Sequence, residues 1–136
     1  MNPMKPLLLV LFSIISFFSV NAQGYDPAKV NKKAATLYSQ AIEKAESGAY
    51  RDAIELMDQA LKLDKKFVDA YLSKAGLYGE LKNYILSIEN YKKAFELDPV
   101  YSRDYKLPYA INLAGNGEFQ KALSAVDDFV KDPSLN

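Results

Sequence analysis

The chain has 136 residues, enough for one ordinary domain, with 49% apolar and 25% charged side chains. Its 17 basic and 17 acidic residues cancel and are interspersed, so no net field draws it onto nucleic acid or an anionic membrane. Cys and His are both absent, which removes disulfides, thiolate metal sites, lipidation thiols, the commonest general base and the commonest transition-metal ligand.

The first predicted element is an export signal over residues 1–22. Lys5 gives a weakly positive start, and residues 7–20, LLLVLFSIISFFSV, follow without a charge. At about 1.5 Å per residue such a helix reaches roughly 21 Å, short of the roughly 30 Å hydrocarbon core. Val20-Asn21-Ala22 then sets small residues at the spacing signal peptidase requires. The mature chain is expected to begin at Gln23 and to carry no membrane span.

Six helices follow, at about 27–47, 50–63, 67–81, 84–97, 103–115 and 118–131. In the second, Tyr50, Ala53, Ile54, Met57, Ala60 and Leu61 keep the three-and-four spacing of a helix buried along one side. Tyr84, Ile88, Tyr91, Ala94 and Phe95 repeat it in the fourth. Gly48 and Asn116-Gly117 supply turns, and Pro99 and Pro133 stop the helices before them. Pro108 should kink a helix that begins near Arg103, or occupy the first position of one that begins at Leu107.

The pattern recurs. Residues 50–55 match 84–89, and 60–64 match 94–98, both 34 positions apart. Asp64, Asp98 and Asp132 share that spacing, as do Leu37, Tyr71 and Tyr105. A 34-residue period carrying two helices is the arithmetic of the tetratricopeptide repeat, and the residues resemble that family. The first unit offers Leu37, Ala41, Gly48, Tyr50, Ala53, Ala60 and Asp64; the second, Tyr71, Ala75, Tyr84, Ser87, Ala94, Asp98 and Pro99. The third offers Tyr105, Ala110, Gly117, Phe119, Ala122, Asp132 and Pro133, its middle shifted by one residue. The resemblance implies an all-α fold over 23–136. Three helix-turn-helix units, about 34–67, 68–101 and 102–135, would stack as a short right-handed superhelix, an α-solenoid. One such pair cannot bury its apolar face alone, but three stacked pairs can.

No catalytic constellation emerges. Gly115-Asn116-Gly117 lies between two helical patterns, without a preceding strand or a following Gly-Lys-Ser/Thr, and reads as a turn. No Ser lies in a Gly-x-Ser-x-Gly elbow. The expectation is a chain that is no enzyme, carries no cofactor or metal, and meets no nucleic acid.

By the resemblance, the first helix of each unit lines a concave protein-binding groove. That places Tyr38, Ser39, Ile42 and Ala45 there from the first unit. The second adds Asp69, Leu72, Ser73, Gly76 and Gly79, and the third Leu107 and Ile111. Relatives that clamp a peptide carboxylate use Lys, Arg and Asn in this groove, which has almost none here. Small and aliphatic residues suit an apolar segment instead. The last helix repeats an arc that earlier units cover with the next unit's first helix. Leu123, Val126 and Val130 are therefore expected at an edge that either a continuation of the protein beyond Asn136 covers or a second copy or a partner takes.

The export signal followed by these repeats also resembles the start of certain Gram-negative envelope proteins. In these, helical repeats precede a β-propeller and a peptidoglycan-binding domain of the outer-membrane-protein-A type. The resemblance implies a protein-protein interaction scaffold in the periplasm or at the outer membrane. A regulatory or accessory subunit of an exported enzyme, or a structural spacer module, are the competing expectations.

Overall fold

In a computed structural model, residues 24–133 are described. The export signal at 1–22 and the expected mature start at Gln23 lie outside them. Six α-helices and no strand are present among the described residues. They are α1 (Lys32–Glu46), α2 (Tyr50–Leu63), α3 (Val68–Glu80), α4 (Tyr84–Leu97), α5 (Lys106–Gly115) and α6 (Phe119–Val130). Helices α1 and α2, α3 and α4, and α5 and α6 pair as hairpins, and α3 and α5 each stack on the hairpin before them. The result is an all-α solenoid.

Side-chain size explains the stacking. Ala34, Ala41, Ala53, Ala60, Ala75, Ser87 and Ala94 have no exposed surface. They sit where helices approach, and the larger Met57, Phe67, Val68, Tyr91 and Leu113 fill the spaces between. Full burial of Met57 or Leu113 contributes about 1.5–3 kcal/mol each. Ser87 stands where the preceding unit has Ala53, and its hydroxyl donates to the Ala75 carbonyl at 2.7 Å, so its polar atom is buried without being orphaned.

The turns inside the hairpins are left-handed. Gly48 and Gly117 have φ of +80° and +82°. The second hairpin has Lys82 at the corresponding place, at φ +57°. Asn31 caps α1 by accepting from the Lys33 and Ala34 amides, and Asn83 caps α4 through Leu86. Asp64 and Asp98 end α2 and α4 in extended conformation. Their carboxylates take the amides of Lys66, and of Val100 and Tyr101.

Two expectations change. The first helix does not run from 27. Pro27–Lys29 is a separate 3₁₀ turn, Val30 is extended, and the Asn31 cap starts α1 at Lys32. Nor does Pro108 kink a helix. A 3₁₀ turn at Arg103–Tyr105 leads into α5 at Lys106, which leaves Pro108 in the first turn, where backbone amides need no helical partner.

Candidate protein-binding groove

The residues expected to line the groove gather at two ends. At one end tyrosines gather around a single carboxylate. Asp69, in the first turn of α3, accepts the Tyr25 hydroxyl on Oδ2 at 2.7 Å and the Tyr101 hydroxyl on Oδ1 at 2.8 Å. The Tyr25 and Tyr101 rings meet edge to face at 4.7 Å. Tyr38 and Ser73 share a hydrogen bond of 2.8 Å between α1 and α3. Burial first, and the bond to Asp69 second, push both the Tyr25 and the Tyr101 hydroxyls above the ordinary tyrosine range. Burial and nearby Tyr105 push Tyr91 up to about 12. The Tyr25 and Tyr101 hydroxyls therefore keep their protons near neutral pH and donate them to Asp69.

Tyr25 is the residue the sequence reading missed. Its amide donates to Asp98, a carboxylate only 7% exposed. The Tyr101 amide, then that of Tyr25, then that of Val100 hold this carboxyl below its ordinary range, against the opposing effect of burial. The Asn31 amide donates in the same way to Asp64 at 3.0 Å. Residues 24–31 thus form a strap across the ends of α2 and α4. The Asp26-Pro27 turn and the aromatic before it were visible in the sequence, but the partners lie 44 and 73 positions away, beyond any local pattern.

The other end is open. Gly76, Gly79, Glu80, Tyr84, Pro108, Ile111 and Asn112 are among the residues bordering a hollow of about 310 Å³. Ile111 is 71% exposed, and Leu107 is exposed too. Asn112 is buried, its Nδ2 held by the Pro108 carbonyl at 2.8 Å. Its Oδ1 is without a hydrogen-bond partner among the described residues and lies against Gly79, where an added Cβ would come within 2.8 Å.

Of the expected groove residues, Tyr38, Asp69 and Ser73 meet at the tyrosine end, and Gly76, Gly79, Leu107 and Ile111 line or flank the open end. Ser39 is exposed; Ile42 and Ala45 are half-buried against the cluster of Ala41, Ala53 and Met57. Leu72 is a correction. It is 2% exposed and packed with Val68, Ala75, Tyr91 and Ala94, while Tyr25, Tyr71 and Tyr109 close on the same cluster. At the expected edge, Leu123 and Val130 are each 66% exposed. Val126 is instead half-buried against Ile88, Ala110, Leu113 and Ala122, because it points toward α5.

Residues 68–101 match the family model described as tetratricopeptide repeat. The fold is that of a tetratricopeptide-repeat protein. Human DnaJ homolog subfamily C member 7 is 27% identical over 77 residues, which are 57% of this chain but only 16% of that protein. The second tetratricopeptide domain of Spaghetti (RPAP3), solved with the HSP90 peptide SRMEEVD, is 16% identical with a TM-score of 0.68, covering 73% of this chain and 91% of its own. The type III secretion translocator chaperone SycD of Yersinia enterocolitica is 22% identical with a TM-score of 0.67, covering 77% and 82%. At these identities the likeness to solved tetratricopeptide structures is one of fold. Among the described residues, no acidic cluster could hold a metal ion and no helix is long and apolar enough to cross a membrane.

Proposed function

We propose that this chain is an exported protein-interaction scaffold of the bacterial cell envelope, and that it holds a partner segment against its concave face. One observation carries the binding reading: the repeats already hold a segment from outside them, residues 24–31, at one end of the expected groove, and leave Leu107 and Ile111 exposed at the other. The fold supports the same reading, since the Spaghetti domain was solved with a peptide bound. Apolar residues next to hydrogen-bonding side chains suit a segment that buries one face and satisfies its backbone on the other. The envelope setting rests on residues 1–22 and on the resemblance to repeat-bearing envelope proteins. The C-terminal edge at Leu123 and Val130 is a second docking surface in this reading, for another copy or a partner.

The test is capture from an envelope extract by the mature chain, beside a Leu107→Asp/Ile111→Asp variant. The expected outcome is one recurring partner with the wild type and its loss with the variant. Equal capture by a variant with unchanged circular dichroism would place binding elsewhere. Export is tested separately by intact mass, which should give a chain beginning at Gln23; a membrane-retained product keeping Met1 would refute it.

A further inference from the structure

Residues 24–31 contain a single 3₁₀ turn, and Gly24, Pro27, Ala28 and Lys29 are exposed. Within this light segment Tyr25 is held on three sides. Its amide donates to Asp98, its hydroxyl donates to Asp69 Oδ2 at 2.7 Å, and its ring stands edge-on to Tyr101 at 4.7 Å. All three partners belong to residues 68–101, the matched repeat. The segment is therefore bound to that repeat as a peptide is bound to a receptor. Each contact is one that a peptide of any chain can make.

We propose that Asp69, Asp98 and Tyr101 form a tyrosine-reading subsite, which the chain fills with its own Tyr25 and which a tyrosine-bearing extended segment of a protein partner takes by displacing residues 24–31. This deepens the scaffold reading and rests on it for the existence of a partner; the ligand and its receptor both lie within the chain. The chemistry sets the specificity. Phenylalanine would leave Asp69 Oδ2 without its donor, and phosphotyrosine would set a dianion against a carboxylate. Local opening must break the two Tyr25 bonds, its ring contact and the Asn31 bond to Asp64, and lift Tyr25 and Val30 from the clusters they pack against, which is still less than global unfolding. A closed strap lowers a competitor's apparent affinity by the fraction of chains that are open.

The experiment titrates a capped synthetic peptide of residues 23–30 into the mature chain carrying Tyr25→Ala, by calorimetry. Saturable binding is expected, at least about tenfold weaker to the wild-type chain, whose own strap competes, and at least about tenfold weaker when the peptide carries phenylalanine or phosphotyrosine. Adding Asp69→Ala should abolish it. A folded Tyr25→Ala chain that binds nothing, or that takes all three peptides equally, overturns the proposal. Should that variant fail to fold, amide hydrogen exchange in the wild type decides. A Tyr25 amide that exchanges by local opening, well ahead of core amides such as Met57, supports displacement; exchange at the core rate overturns it. Peptide binding without any captured envelope partner would sink the scaffold reading and leave the subsite standing.

Discussion

Asp98 joins parts of the chain that are far apart in sequence. It ends α4, caps the loop behind it through Val100 and Tyr101, and anchors the strap through Tyr25. Asp98→Ala leaves these amides to find other partners and is expected to cost about 1–3 kcal/mol, read as a lower denaturant midpoint. Because the folded state holds this carboxyl below its ordinary range, its contribution is complete above about pH 4, the unfolded value, and disappears as pH falls through the folded value. The wild type should therefore lose more stability on acidification than Asp98→Ala does. Parallel acid titrations of the two would show that Asp98 is not an anchor. Lys82 presents the opposite case, a residue in a conformation that suits glycine. At φ +57° it stands where the other hairpins have Gly48 and Gly117. Relief of left-handed strain, about 1–2 kcal/mol, outweighs glycine's extra unfolded-state entropy of about 0.5–1 kcal/mol. Lys82→Gly should raise the denaturant midpoint, and a fall would mean that the turn is unstrained.

Helix α3 shows how one sequence feature acquires two meanings once its neighbours are fixed. Gly76 and Gly79 both lie in α3 and look equivalent on a helical wheel. A Cβ at Gly76 meets nothing within 4 Å, whereas one at Gly79 meets Asn112 Oδ1 at 2.8 Å. Asn112 cannot step aside freely, because its amide nitrogen is bonded to Pro108. Gly76→Ala should stabilise the fold by about 0.5–1 kcal/mol through helix propensity alone. At Gly79 the same gain is smaller than the cost of overpacking, about 1–3 kcal/mol, so Gly79→Ala should destabilise. Chemical denaturation of the two single variants settles the matter. Equal effects would mean that α3 and α5 do not meet as described.

Across the whole molecule, the asymmetry lies at the α6 edge. Leu123 holds the phase of Ile54 and Ile88, which are buried, yet it is 66% exposed. Phe129 holds the phase of Ala60 and Ala94, which have no exposed surface and sit in clusters with the first turns and faces of α3. A further helix packed in the same register would meet a phenyl ring where the earlier interfaces have a methyl group. The mature chain is expected to self-associate with rising concentration, and Leu123→Lys with Val130→Lys to weaken this while leaving the circular dichroism unchanged. Val126 is unsuited to the same test, since its substitution would also open the α5–α6 cluster. Sedimentation that finds a wild-type monomer at high concentration would rule out this role for the edge.

The helices and their pairing were legible in the sequence because they rest on local rules. Three-and-four spacing places Tyr50 to Leu61 on one side of a helix, and glycine or proline marks where most of the helices turn or stop. Repetition every 34 residues then shows that each hairpin can bury its apolar face only against the next. Depth and long-range polar contact were not legible. Leu72 falls on the same helical phase as exposed groove residues, and only the packing of Tyr25, Tyr71 and Tyr109 around its cluster decides that it is core. Tyr25 lies outside every repeat, so no period announces it. Its place is set by hydrogen bonds to Asp69 and Asp98, which come within reach only after the helices have stacked. Periodicity fixes which face of a helix turns inward, while the neighbour that covers that face, and the strap laid across it, are decided by tertiary packing.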